Sequence, residues 1–230
     1  MRARGPVYHR HVRRRSAAAP ARERSRDTDR LVFFSDAVFA FAMTLLVQRI
    51  LVPTGPNYTH QVLAQWPKYL SYLLSFAVVG RYWLSHHRLF AFIRQWDGVL
   101  IRLNLLLLLF IAFMPFCAAM IGQRAGYRIS LIFYASTVGA AGLASLLIWV
   151  YATHDHRLVD ADLDAAVIRR YRTRGIVAPL VFFLSIPLSL VSLNAAYVSW
   201  FVALLAPTVV RTDSPRRHRE TVSTPRPSHK

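Results

Sequence analysis

The sequence has little negative charge and almost no cysteine. Its 11 Asp and Glu residues are set against 29 Lys and Arg residues, and charged residues make up 17% of the chain, whereas soluble proteins average about 25%. The single cysteine, Cys117, lies inside an apolar stretch. These two shortages argue against an ordinary soluble domain and exclude an intrachain disulfide framework.

Signatures of catalysis and of metal binding are also missing. The chain has no Gly-x-Ser-x-Gly elbow, no phosphate-binding glycine loop, and no pair of acids inside an apolar run. His86 and His87 are adjacent, so on a helix their side chains diverge by about 100° and rarely share one ion. We therefore predict no enzyme, no bound metal and no cofactor.

Long apolar runs dominate what is present, since 54% of the residues are hydrophobic. A helix of about 20 apolar residues crosses the hydrocarbon of a bilayer. We predict an all-α integral membrane protein with six transmembrane helices in residues 30–210, flanked by disordered tails at 1–29 and 211–230. The predicted spans are Leu31–Val52, Lys68–Ser85, Val99–Met120, Ile129–Tyr151, Ile176–Leu193 and Ala196–Val210.

The positive charge, a net +18, is distributed unevenly about these spans. All but four of the 29 Lys and Arg residues fall in the tails, or in the second and fourth connections and the span ends beside them. The positive-inside rule then predicts that both termini are cytoplasmic. This placement favours a topology signal over a nucleic-acid surface, so we predict no nucleic-acid partner; the Arg-rich tails could also bind anionic lipid headgroups.

The fourth connection carries a helix signal of its own. Asp160, Asp162 and Asp164 precede Arg169 and Arg170, an order that complements a helix dipole. We expect a short surface helix there, ahead of the fifth span.

The first span contains four polar residues, Ser35, Asp36, Thr44 and Gln48, and polar groups at membrane depth are costly. At 100° per residue, one face carries Phe34, Ala37, Phe41, Thr44, Leu45 and Gln48. Ser35 and Asp36 point about 120–140° away from Phe41. That face could meet its symmetry mates around an axis and form a narrow apolar conduit with a ring of hydroxyls. Alternatively, the Thr44 hydroxyl simply bonds to a carbonyl one turn back.

Asp36 requires partners from neighbouring helices. Trp83, His86 and His87 lie near the end of the second span and Asn104 near the start of the third, while Arg30 precedes Asp36 by one and a half turns. These residues form either one buried polar network that clamps the first helix or separate interfacial residues.

The segment from Arg30 to Leu46, Arg-x-x-x-Phe-Ser-Asp-Ala-Val-Phe-Ala-x-Ala-x-Thr-Leu-Leu, resembles the first-helix signature of the transmembrane-protein-175 family of potassium channels. Stretches at 82–90 and 104–116 resemble the same family, so the likeness runs over roughly residues 30–120. It implies a potassium channel without a filter of backbone carbonyls, and the Thr-Val-Gly-Tyr-Gly filter sequence is indeed absent from this chain.

The resemblance also implies an assembly and roles for residues. Single-repeat prokaryotic members assemble as homotetramers, with the first helix lining the pore. Phe41 corresponds to the hydrophobic gate and Thr44 to the selectivity position, with Ala37, Leu45 and Gln48 as further lining residues. The structural polar network corresponds to Arg30, Ser35, Asp36, Trp83, His87 and Asn104.

Three positions depart from the family pattern. Phe41 is bulkier than the usual Ile or Leu, Gln48 replaces Leu, and Arg49 stands where the family often has Glu. We predict a multi-pass, leak-type potassium channel in a prokaryotic cell membrane, with potassium as the permeant ion and no cofactor. The alternative is a proton-coupled secondary transporter that uses Asp36 and His87.

Overall fold

The computed structural model describes residues 18–205, with side chains described for residues 30–201. This part of the chain contains seven α-helices and a single 3-10 turn at His154–His156. The helices are α1 (Ala18–Val47), α2 (Tyr58–Ala64), α3 (Trp66–Phe90), α4 (Gly98–Arg124), α5 (Arg128–Thr153), α6 (Ala165–Val191) and α7 (Leu193–Leu205).

Four stretches are long and apolar enough to cross a membrane: Arg30–Val47, Gly98–Arg124, Arg128–His156 and Ala165–Val191. The helical, membrane-spanning character predicted from the sequence is thereby confirmed. The second and sixth predicted spans correspond to α3 and α7. Because α3 carries Arg81, Arg88 and two histidines, and α7 has only 13 described residues, the count of six spans stays a prediction.

The start of α1 differs from the prediction. We expected residues 1–29 to be a disordered tail, but α1 begins at Ala18 and continues without a break through Arg30. Alanine and arginine are strong helix formers, and Pro20 lies in the first turn, where its missing N–H costs nothing. Residues 1–17 and the predicted tail at 211–230 lie outside the described residues.

The separate surface helix expected before the fifth span is wrong. Asp164 caps a helix that begins at Ala165, accepting a hydrogen bond from the Ala166 amide at 2.7 Å, but that helix continues as α6 to Val191. Nothing between Arg170 and Ile176 ends it, so the basic first turns and the apolar span form one helix. The hairpin expected at Asn194 and Ala195 is also shifted, since α6 and α7 are separated by Ser192 alone.

The helices pack side by side, with α1 on one side of the bundle and α7 on the other. α1 contacts α3 and α4, α4 packs along α5, α5 along α6, and α6 against α7. The buried core between them includes Leu107, Ile111 and Met114 of α4 and Trp149 of α5. By contrast, α3 barely touches α5, so a gap remains on that side of the bundle.

The connections at one end of the bundle are tied together by Asp97. Its carboxylate accepts hydrogen bonds from the Val99 and Leu100 amides at 3.0 and 2.9 Å, which caps α4, and another from the Tyr151 hydroxyl. Partial desolvation opposes ionisation of the carboxyl, but these three hydrogen bonds together hold the pKa of Asp97 below its ordinary value. A salt bridge between Arg94 and Asp160, at 2.9 Å, joins the α3–α4 and α5–α6 connections nearby.

Candidate functional site on the first helix

The first helix has one buried face. Ser35, Phe39, Ala42 and Leu46 are each 2% exposed or less, and their spacing of four, three and four residues places them on one side of the helix. This side packs against α3 and α4. The buried stripe therefore fixes which way α1 turns within the bundle.

The opposite face of α1 has no partner within the described chain. Phe34 and Phe41 are 52% and 65% exposed, and Ala37, Thr44 and Gln48 on the same face are also exposed, with Leu45 partly so. Their spacing matches the face predicted from the sequence. A stripe of apolar residues this long, carrying two polar side chains, indicates contact with lipid or with another chain.

The Thr44 hydroxyl has a defined orientation. It donates its hydrogen to the Phe41 carbonyl at 2.8 Å, one turn back along the helix. This is the local hydrogen bond that the sequence offers as the alternative to a ring of hydroxyls around a central axis. The two interpretations are compatible, because a hydroxyl that donates its hydrogen still has oxygen lone pairs to offer on its exposed side.

Behind the buried face, Ser35, Asn104 and His86 form a chain of hydrogen bonds. The Asn104 amide donates to the Ser35 hydroxyl at 2.9 Å, and the Ser35 hydroxyl donates to the Leu31 carbonyl at 2.9 Å. His86 Nε2 lies 3.0 Å from Asn104 Oδ1. All three side chains are buried. One polar chain thus connects α1, α4 and α3 inside an apolar bundle.

A second link joins Asp36 to α3. The Trp83 indole N–H donates to Asp36 Oδ1 at 2.9 Å. The indole ring also lies 5.9 Å from the His87 ring. Asp36 is half-buried and lies beside the buried stripe, so the carboxylate faces α3 and not the exposed face of α1.

His86 occupies an aromatic slot. Its ring stacks on Phe90 with 4.2 Å between centroids and is tilted against Phe39 of α1 at 5.5 Å. Nδ1 is buried and has no hydrogen-bond partner among the described residues. Because a buried charge without a partner is costly, this environment favours a neutral imidazole.

Two predicted members of the network are placed elsewhere. The histidine bonded to Asn104 is His86, whereas His87 is exposed and contacts only the Trp83 ring among the ring contacts described. Arg30 is exposed, and no hydrogen bond or ion pair joins it to a described side chain. The helical period would have indicated His86, since Ser75, Val79, Tyr82, His86 and Phe90 form one buried stripe on α3.

No group of three His, Cys, Asp or Glu side chains within the described residues is placed to hold a metal ion. The first helix instead offers an oriented, unpartnered face with hydroxyl and amide groups among apolar ones. Such a face is suited to the passage of an ion or to contact with another chain, and not to catalysis.

Comparison with protein families gives a match to the model described as endosomal/lysosomal potassium channel TMEM175, over residues 30–115. A potassium channel of Streptomyces collinus is 36% identical over 174 residues, which cover 72% of this chain and 84% of the relative. The human endosomal/lysosomal proton channel TMEM175 is 24% identical over 191 residues, and the match covers 38% of that longer protein.

A solved structure shares the fold. The lysosomal potassium-selective channel TMEM175 homolog from Chamaesiphon minutus superposes with a TM-score of 0.70 at 28% identity, covering 78% of this chain and 95% of that one. The family match over residues 30–115 includes the part of α1 that carries both faces, and the hydrogen-bonded residues of α3 and α4.

Proposed function

Because this chain belongs to the TMEM175 ion-channel family, we propose that four copies assemble around one axis and conduct potassium across a membrane. The observation that carries this proposal is the exposed face of α1, which includes Phe41 and Thr44 and has no partner among the described residues. The family is one of ion channels and not of enzymes.

The polar residues on that face favour an axis over lipid. Thr44 is exposed on a helix that is otherwise apolar enough to span a membrane, and Gln48 is exposed in the turn directly after its end. Exposing such polar side chains to hydrocarbon is costly, whereas a water-containing passage solvates them. The face therefore suits the inside of an assembly.

Phe41 forms the gate in this proposal. Four phenylalanine rings at one level of a narrow passage repel water, and a dewetted constriction blocks ions without any rigid plug. Rotation or spreading of the four α1 helices opens it.

Thr44 supplies oxygen to the permeant ion. Its hydroxyl hydrogen is engaged by the Phe41 carbonyl, so the exposed side of the oxygen presents lone pairs to a partly dehydrated cation. Four such oxygens one turn beyond the gate replace part of the hydration shell of potassium. Ala37, Leu45 and Gln48 line the remainder of the passage.

The hydrogen bonds behind α1 orient it. Ser35, Asn104 and His86 on one side, and Asp36 with Trp83 on the other, attach α1 to two neighbouring helices. In a membrane, polar contacts between helices fix how each helix is rotated about its axis. Apolar contacts alone do this poorly, because lipid tails are as apolar as the side chains. This arrangement keeps the Phe41 and Thr44 face directed at the axis.

The proposed setting is a prokaryotic cell membrane that the chain crosses several times, with both termini in the cytoplasm and the Arg-rich tails near anionic headgroups. The bacterial relative supports this setting, and so does the excess of Lys and Arg in the tails and in two connections.

Flux into liposomes tests the proposal. Purified protein reconstituted into vesicles should pass potassium down its gradient, with less sodium flux and no requirement for a proton gradient. Proton flux should be recorded in parallel, because the human relative is named a proton channel. Potassium movement that stops when the proton gradient is collapsed would instead support the transporter, and no flux of any ion would refute conduction.

The Thr44 role has a matched control. Thr44→Val keeps the side-chain shape but removes the oxygen, so discrimination between potassium and sodium should fall. Thr173→Val makes the same change at an exposed position of α6 and should leave discrimination unchanged. Equal discrimination in both variants would remove Thr44 from the ion path.

A further inference from the structure

A large cavity lies in the gap between α3, α5 and α6. Its volume is about 770 Å³, within the usual range for sites that hold a small molecule. The walls are mostly apolar, with Phe76 and Leu84 from α3 and Leu146 and Ala178 from α5 and α6. Met43 of α1 also lines the cavity, but Phe41 and Thr44 do not.

Gly142 of α5 lies where α3 and α6 both come close to α5, at one wall of the cavity. A Cβ atom at this position would lie 2.9 Å from both the Tyr82 hydroxyl and Pro179 Cδ, which no real side chain permits. Its absence lets α3 and α6 approach α5 from two sides, and the Tyr82 hydroxyl donates to the Val138 carbonyl at 2.8 Å. α3 and α6 therefore each contact α5, and the cavity lies between them.

Three arginines line the cavity. Arg81 and Arg88 of α3 are two turns apart on one face, and Arg174 of α6 lines the same cavity. None of the described residues that line the cavity is acidic. An apolar groove lined by three arginines is complementary to an amphiphile with an anionic end.

The length of the groove suits an acyl chain. Along α3 the lining runs from Phe76 to Leu89, a rise of roughly 20 Å at 1.5 Å per residue, which is more than half the hydrocarbon thickness of a bilayer. Arg88 lies at the end of α3 that leads into the connection containing Asp97, at the level where headgroups begin.

We propose that this cavity is a binding site for a phospholipid with a net negative headgroup, whose phosphate lies between Arg88 and Arg174 and whose acyl chain follows α3 towards Phe76. Guanidinium groups bind phosphate oxygens through paired, charge-assisted hydrogen bonds. A zwitterionic lipid brings its own cation near the same arginines and binds less well.

A second copy of the chain is a poorer occupant. It would need acids to meet the arginines, but most of the acids that the structure describes have contacts of their own. Asp36 accepts from Trp83, Asp97 from Tyr151, and Asp160 pairs with Arg94. A bilayer supplies phosphate at this depth without that constraint.

Native mass spectrometry of the detergent-solubilised full chain tests the site. Phosphatidylglycerol and phosphatidylcholine are titrated separately, and the phosphatidylglycerol adduct should be preferred. The double change Arg88→Gln with Arg174→Gln should weaken phosphatidylglycerol binding by about tenfold or more, since each charged hydrogen bond contributes substantially. Arg172→Gln removes the same charge two residues from Arg174 on a different face of α6 and should bind as the wild type does.

Two further variants guard against loss of folding. Arg174→Gln alone changes an exposed residue and should still weaken binding, and Ala178→Phe fills the acyl part of the groove and should reduce binding of both lipids. Melting curves without lipid identify any variant that is misfolded. Equal affinity for the two lipids, or equal binding by Arg174→Gln and Arg172→Gln, would overturn the proposal. So would an altered number of subunits in Ala178→Phe with unchanged lipid binding, because the groove would then hold a second copy of the chain. These readouts do not depend on ion flux, so they stand apart from the channel experiment.

Discussion

The proposed gate is tested most directly by substituting Phe41. It is the large side chain at the centre of the unpartnered face of α1. Changing Phe41→Ala should raise basal potassium current several-fold in a planar bilayer, because a smaller side chain lets water fill the constriction.

Phe133 provides the control for that measurement. It is also an exposed phenylalanine, at 40%, but it belongs to α5 and not to the first helix. Phe133→Ala should leave basal current near the wild-type level. A current that is unchanged in Phe41→Ala, or raised equally in both variants, would remove Phe41 from the gate.

Asp36 is tested by its bond to Trp83. Asp36→Ala removes the acceptor of the Trp83 indole N–H, and a typical hydrogen bond contributes about 0.5–1.5 kcal/mol to stability. We expect less folded oligomer after size-exclusion chromatography in detergent and a lower melting temperature. Asp36→Asn retains a carbonyl acceptor and should recover most of the loss; normal yield and melting of Asp36→Ala would argue against a clamping role.

At the scale of the helices, Asp97 determines where α4 begins. Asp97→Ala removes the acceptor for two backbone amides, and loss of an N-cap costs about 0.5–2 kcal/mol. The melting temperature in detergent at neutral pH should fall accordingly. Asp97→Asn is the control, because asparagine also caps helices and should recover most of this loss, leaving only the part that depends on the carboxylate charge.

The same residue predicts a pH effect with a definite sign. The pKa of Asp97 is lower in the folded chain than its ordinary value of 3.8, so the ionised form stabilises the fold. That contribution is fully present above the ordinary pKa and is lost as the pH falls through the lower, folded-state pKa. The stability difference between the wild type and Asp97→Asn should therefore shrink on acidification; a difference that is constant with pH would contradict the assignment.

For the whole molecule, the proposed orientation is the first property to check. Both termini should be cytoplasmic, because most Lys and Arg residues lie in the tails and in two connections. A fluorescent protein fused to the C-terminus should fluoresce, and alkaline phosphatase inserted in the connection after Pro53 should be active outside the cell. The reverse pattern would invert the topology and place Thr44 and the gate in the opposite order for an entering ion.

The sequence was sufficient for features that depend on local geometry. Apolar length predicts helices that cross a membrane, and four such stretches are present in the described residues. The exposed and buried sides of α1 follow from a period of 3.6 residues applied to Phe34, Phe41 and Ser35. The family resemblance, carried by short motifs in the same region, is confirmed by the comparisons.

Helix ends were predicted less well, for a reason visible in α6. Its acidic N-cap and basic first turns are visible in the sequence, but Gly175, which precedes the apolar span, does not end the helix, and α6 continues to Val191. Local signals mark where a helix can start, whereas packing against neighbouring helices decides how far it extends.

The choice between His86 and His87, and the cavity beside α5, were decided by the tertiary structure alone. His86 is bonded to Asn104 because α3 presents one stripe to α4 and α1, and two adjacent residues cannot both face the same neighbour. Gly142 lines this cavity and admits Tyr82 and Pro179 from two separate helices, which a side chain there would exclude. The chain by itself determined the helices and their two-sided character, since both arise between residues a few positions apart; which side chains meet was settled by how helices distant in sequence approach each other.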